Sequence, residues 1–190
     1  QEGKNKLDPD EVRHAFDGIG YNGSNVSQYQ EAIDPIMERL FERMVDDAVA
    51  ERKTSITFMT GTPGSGKATS VRNNKSIDLS GEGLVFDSAF NSYSGLHEKI
   101  EQAKKRGMKQ VTVIAVYNDA QTAFENSIHR GLTQDAHRFL PLNYFINCFG
   151  KNKNKLKELS LEHPEVKIIT LDNEKNNGGK IVTLEEALDW

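Results

Sequence analysis

The stretch "SITFMTGTPGSGKAT", residues 55 to 69, constrains this chain more than any other. A short, apolar, β-rich run ends on Gly61, a glycine turn follows through Thr62, Pro63, Gly64, Ser65 and Gly66, and Lys67 opens the helical segment "GKATSVRNN". Strand, tight turn and helix at the spacing G-x-x-x-x-G-K make a phosphate-binding loop. The backbone N–H groups of such a turn point inward, the helix N-terminus favours an anion, and the lysine reaches the β- and γ-phosphates. The loop must sit at the carboxyl end of a strand in an open α/β sheet. Residues 61 to 69 are therefore the expected nucleotide-binding set: Gly61, Thr62, Pro63, Gly64, Ser65, Gly66, Lys67, Ala68 and Thr69.

One position breaks the pattern. After the lysine a hydroxyl is required as a direct ligand of Mg²⁺, and the chain has Ala68 there, with Thr69 next. Three readings stay open. Mg²⁺ can be held by nucleotide oxygens, waters and a carboxylate, because this ion keeps several waters. Thr69 can substitute, although its side chain points about 100° further round the helix. Or the protein binds nucleotide and catalyses poorly. An engineered Ser/Thr→Ala exchange is a further source of the same letter.

Around the loop the pattern is regular. "LDPDEVRHAF" reads as a short helix with Asp8 as N-cap, and "DGIGYNGSNVSQYQ" reads as a loop. Residues 31 to 52 form a helix with Pro35 in its first turn; Ile36, Leu40, Met44 and Ala48 mark an apolar stripe, with Met37, Phe41 and Val45 beside it. "GLVFD", "QVTVIAVY", "EVKIITLD" and "GKIV" are further strands, separated by the helical segments "SYSGLHEKIEQAKKRG", "DAQTAFENSIHRGL" and "LNYFINCFGKNKNKLKELSLEH". Apolar strands alternating with helices mean parallel pairing with helices on both faces. The expected fold is a three-layer αβα P-loop NTPase/kinase fold, with a mainly parallel sheet of about five strands and N-terminal helices. No linker divides the chain, so residues 1–190 read as one domain, with a helical segment at 1–52 and the nucleotide-binding core at 53–190.

Asp87 closes the second strand, where open α/β sheets place their ligand crevices. Its carboxylate can orient Mg²⁺ through water, take the proton of an attacking hydroxyl, or merely cap the next helix. The following residues, "SAFNSYS", would line an acceptor pocket. Arg130 and Arg138, in "SIHRGLTQDAHRFLP", are placed to neutralise a transferring phosphoryl group. His129 and His137 precede them without a third ligand for zinc, and Asp119 reads as a helix cap. The run "KNKNKLK" at 151–157 reads as a solvated helix face, because acidic residues follow at once.

Composition narrows the setting. A net charge of −4 does not indicate a nucleic-acid partner held by bulk electrostatics. No apolar run is long enough to span a membrane. A single cysteine, Cys148, excludes an internal disulfide and fits a reducing compartment. The chain begins at Gln1 and reads as a piece of a longer protein or as a processed chain.

Taken in order, the N-terminal helical segment, "TFMTGTPGSGKAT", "GLVFDSAFNSYSGLHEKIEQAKKRGMKQVTVIAVYNDAQTAFENSIHRG" and "AHRFLPLNYF" resemble the zeta-toxin family of P-loop kinases. The resemblance covers roughly residues 7 to 172. It implies transfer of the γ-phosphate of ATP to a hydroxyl of UDP-N-acetylglucosamine, and an antitoxin that blocks the nucleotide site. It implies that Lys67 grips the phosphates, that Asp87 is the base, and that Arg130 and Arg138 clamp the phosphate. Two departures stand out: Ala68, and "FDSAFN", which lacks the longer acceptor-binding pattern. The sequence thus carries a leading reading, a Mg²⁺- and ATP-dependent phosphotransferase acting on a small molecule. It leaves two alternatives, a nucleotide-binding module with impaired catalysis and a nucleotide hydrolase.

Overall fold

The computed structural model describes residues 6–7, 9–21, 25–77, 79, 83–90, 92–133, 140 and 142–189. Four parallel strands form the centre of the sheet: β2 (Ser55–Gly61), β3 (Gly83–Asp87), β4 (Gln110–Tyr117) and β5 (Lys167–Asp172). The two-residue β1 (Lys6–Leu7) extends one edge in parallel, beyond the five strands expected. The short β6 (Lys180–Val182) pairs antiparallel with β5 at the other edge, so the order is β1-β3-β2-β4-β5-β6.

The strands are apolar on both sides because both faces are covered. Ile56, Phe58, Leu84, Phe86 and Val113 pack on one face against Phe41 and Val45 of α2 (Val26–Ala50), Leu96 and Ile100 of α4 (Tyr93–Lys105) and Leu159 of α6 (Leu142–Glu162). Met59, Ile114, Val116 and Leu171 face the other way and meet Val71 of α3 (Lys67–Asn73). Each side chain of this size contributes about 1.5–3 kcal/mol on burial, and the alternation of period two decides which layer it joins. The result is a three-layer αβα sheet protein.

Two local expectations change. Helix α2 begins at Val26, within the segment read as loop, and Pro35 lies in its interior. Tertiary packing outweighs the missing N–H. Ile33 is fully buried, Tyr29 stacks edge-on with Phe16 and Tyr21, and its hydroxyl donates to Ile19 O at 2.8 Å. The buried stripe is accordingly Ile33, Phe41, Val45 and Ala48, whereas Ile36 is 39% exposed. The short helix α1 (Pro9–His14) is present, and its proposed cap Asp8 lies outside the described residues.

After β4 comes α5 (Ala120–Thr133), capped by Asp119, whose Oδ1 accepts from Thr122 N at 2.9 Å. That backbone hydrogen bond holds the Asp119 carboxyl below its usual range. The chain closes with α7 (Leu184–Ala187), which opens on a Thr183–Glu186 capping box. Among the described residues no helix is long and apolar enough to cross a membrane. Register places the working residues at the carboxyl end of the central strands: Asp87 stands level with Met59, and Gly61 with Val116.

Candidate functional site

The turn after β2 is held in shape from outside. Gly64 has φ 78°, and a Cβ there would lie 1.9 Å from Ala123 O, so the α5 backbone leaves no room for a side chain. Gly66 has φ 80°, and a Cβ would meet Asn173 Nδ2 at 2.6 Å. The Gly66 clash is with an asparagine side chain, one of two that brace the loop. Asn126 Nδ2 donates to Gly64 O at 2.9 Å, and Asn173 Nδ2 donates to Ser65 O at 2.9 Å. Asn173 Oδ1 in turn accepts from Gly178 N at 3.0 Å, and Asn176 Oδ1 accepts from Asn118 and Asn126 at 3.0 and 2.9 Å. These bonds occupy the Gly64 and Ser65 carbonyls within the protein, and Asn126, Asn173 and Asn176 themselves border the cleft in front of the loop.

In front of the loop lies a cleft of about 680 Å³, a size suited to a nucleotide. Pro63, Gly64, Gly66, Lys67, Ala68 and Thr69 border it, together with Asp87, Ser88, Ala89, His129 and Arg130. The P-loop, the end of β3 and the last turn of α5 therefore share one cavity. Gly61, Thr62 and Ser65 are buried beneath it. Arg138 and His137 lie outside the described residues, as does Asn91 of the "SAFNSYS" segment.

The donor set fits a polyphosphate. Lys67, Arg130 and Arg13 bring positive charge to the cleft, and Ser127 Oγ, on its wall beside Gly64, is buried with no partner among the described residues. For Mg²⁺ the set is thinner. Ala68 offers a methyl group, and Asp87 is the one acidic residue among the described residues bordering the cleft. A single carboxylate supplemented by water and phosphate oxygens is an ordinary Mg²⁺ environment. Thr69 also borders the cleft, despite its rotation from the Ala68 direction.

Several residues at the site were not legible beforehand. Arg13 reaches the cleft from α1, and nothing in its local sequence marks it. Of the asparagine braces, Asn126 comes from α5, and Asn173 and Asn176 come from "DNEKNNGG", whose turn puts Lys175 and Asn176 at φ 54° and 59°. The largest correction concerns "KNKNKLK". Lys151, Asn154 and Lys157 are exposed, but Lys155 is only 2% exposed. Its Nζ donates to Thr60 Oγ1 at 2.8 Å, Ala89 O at 3.1 Å and Phe90 O at 2.8 Å. Burial, and then the nearby Lys67 charge, push its ammonium down to about 7. The overlooked signal is periodicity: Lys155 follows the buried Cys148 by seven residues and precedes the buried Leu159 by four.

A glycine loop at a strand end, braced over a cationic cleft in a doubly covered parallel sheet, defines a P-loop nucleotide-binding protein. The family model for zeta toxin matches residues 79–188, more than half of the chain, and the chain belongs to the zeta toxin family. The match begins after the phosphate loop, so loop and family are separate observations that agree. Family and loop together give a nucleotide-binding, kinase-like function. A comparison with curated proteins finds no match.

Proposed function

We propose that the protein is a phosphotransferase that moves the γ-phosphate of ATP to a hydroxyl of a small molecule, with a UDP-amino sugar as the first acceptor to test. The observation that supports this is the shared cleft: Lys67, Asp87 and Arg130 come from three separate elements and border the same cavity. In the reaction the acceptor hydroxyl oxygen attacks the γ-phosphorus, the bond to the β–γ bridging oxygen breaks, and ADP leaves. Asp87 takes the hydroxyl proton as the new P–O bond forms. Lys67 and the loop N–H groups hold the β- and γ-phosphates, and Arg130 offsets charge on the transferring group. Asp87, through water, would hold Mg²⁺, which supplies further charge neutralisation at the phosphate oxygens. A protein that occupies the nucleotide cleft, as antitoxins do in this family, is the partner that this reading implies.

The methyl of Ala68 at the cleft supports a second reading, a nucleotide-binding module with impaired catalysis. The deciding experiment supplies γ-labelled ATP, Mg²⁺ and UDP-N-acetylglucosamine, or a bacterial small-molecule extract, to the wild-type, Lys67→Ala and Ala68→Ser proteins. Label transferred by the wild type and lost in Lys67→Ala is the expected result. Nucleotide binding without transfer in either wild type or Ala68→Ser would replace the kinase reading with the binding module. No nucleotide binding at all would sink both.

A further inference from the structure

Lys155 is a cation that the proposed reaction leaves without a task, and its surroundings are unusual. Among the described residues it has no carboxylate acceptor; its three acceptors are neutral, and one of them, Ala89, borders the cleft. Thr60 is the residue immediately before Gly61 of the phosphate loop. Ala89 and Phe90 are the second and third residues after Asp87. An ammonium taken out of water without an anionic partner is costly, and an apolar residue would fill the same space at less expense.

The segment that it holds is strained. Phe90 has φ 44°, a left-handed conformation that a bulky aromatic residue rarely adopts. Its ring is fixed against Phe58 and Phe86, at 6.0 and 5.7 Å between centroids. Two consecutive carbonyls, Ala89 O and Phe90 O, converge on the one Nζ, which requires the sharp bend. Thr60 Oγ1 donates to Ala89 O at 3.1 Å while it accepts from Lys155, and Ser88 N donates to Met59 O at 3.1 Å. The turn after Asp87 is thus bound to the strand that carries the phosphate loop, with the ammonium at the junction.

We propose that Lys155 is a positioning residue for phosphoryl transfer: its ammonium ties the turn at Ser88–Phe90 to Thr60, and so fixes Asp87 and the acceptor side of the cleft relative to the bound phosphates. The proposal rests on the kinase reading given above. A neutral amine has two N–H groups and a lone pair, so it cannot serve all three acceptors, and the tie requires the charged form. The ionisable groups acting on Lys155 are Lys67, from the phosphate-loop helix, and Cys148, from its own helix; the strand and turn atoms that it touches are neutral. Since burial and Lys67 bring the ammonium to about 7, the tie loosens as pH rises through neutrality. Phosphates bound at Lys67 offset its repulsion, which moves the loosening to higher pH in the nucleotide complex.

The test uses wild type, Lys155→Met and Thr60→Val, with γ-labelled ATP and UDP-N-acetylglucosamine as probes and rates normalised to ATP sites titrated by calorimetry. Lys155→Met is expected to lower kcat by about 10- to 100-fold, as misplacement of a reacting group does. Its ATP Kd should stay within about twofold of wild type, the pattern of an interaction used only in the transition state. Wild-type kcat/KM should fall as pH rises through about 7, with the limb displaced upward in kcat and absent from Lys155→Met. Thr60→Val, which removes one acceptor and keeps the shape, should lower kcat in the same direction by a smaller factor. It supplies the answer if Lys155→Met does not fold.

A merely structural lysine would lower the thermal midpoint and the number of ATP-binding sites, with kcat per site and the pH profile unchanged. That result overturns this proposal alone. A wild-type protein that binds ATP and transfers nothing overturns the kinase reading, and this proposal with it.

Discussion

Asn173 and Ser65 are 108 residues apart in sequence and 2.9 Å apart across a buried hydrogen bond, side-chain amide to loop carbonyl. That contact connects the turn after β5 to the phosphate loop after β2. Asn173→Ala removes it and also strands Gly178 N. At about 1 kcal/mol for each lost bond, plus the desolvation of buried groups, stability should fall by about 2–4 kcal/mol. ATP affinity should fall about tenfold, because the loop loses its outer anchor. Asn173→Asp should be worse, since a carboxylate oxygen would face the Ser65 carbonyl. Denaturant unfolding and calorimetry check both; unchanged ATP affinity in Asn173→Ala would show that the loop holds its shape alone.

Ala68 tests the metal. With a methyl at the cleft and Asp87 reaching the ion only through water, the wild-type protein should gain only modest ATP affinity from Mg²⁺ over EDTA. Ala68→Ser restores the hydroxyl ligand, so its ATP affinity should become more Mg²⁺-dependent and its phosphoryl transfer should rise by about tenfold or more. Serine costs only about 0.5 kcal/mol relative to alanine in a helix, so folding should be nearly unaffected. Equal Mg²⁺ dependence in the two proteins would mean that Thr69 or Asp87 already supplies the ligand.

Asp87→Asn separates base from metal ligand. A base acts in the transition state, so kcat should fall by about 10²–10⁴ with the ATP Kd within about twofold. Loss of ATP affinity confined to Mg²⁺-containing buffer would instead assign Asp87 to the metal. Calorimetry with and without Mg²⁺, beside the label-transfer assay, reads both.

Lys155 makes folding stability depend on pH in an unusual direction. Its folded-state value of about 7 lies below the 10.5 of an exposed lysine. Between those values the unfolded chain holds a proton that the folded protein has released, so stability rises with pH across that window. The slope contributed by this one group is at most about 1.4 kcal/mol per pH unit. Urea unfolding from pH 7 to 10 should show it as a growing difference between wild type and Lys155→Met, in favour of wild type. Parallel curves would show that the lysine keeps an ordinary proton affinity.

Most of the architecture was legible because it is local. β2, β3, β4 and β5 are short, largely apolar runs, and glycines punctuate the phosphate loop at a spacing that has one physical use. Asp87 was legible from its place at the end of such a run. The failures share a cause. Whether Pro35 starts α2 or lies inside it depends on Ile33 and Tyr29 finding partners elsewhere. Whether Lys155 is solvated depends on which side of α6 meets the sheet, and a run of lysines and asparagines conceals that side.

The sequence by itself determined that strands alternate with helices, that a phosphate loop follows β2, and that its metal-binding hydroxyl is missing at Ala68, because each of these is a statement about neighbours along the chain. Only the tertiary structure decided that Asn126 and Asn173 brace that loop, that Arg13 reaches its cleft, and that Lys155 joins Thr60 to the turn after Asp87. Polar side chains carry no periodic signature of their own. Their partners are chosen by the packing of apolar residues that lie far away in the chain, and that packing exists only in the folded state.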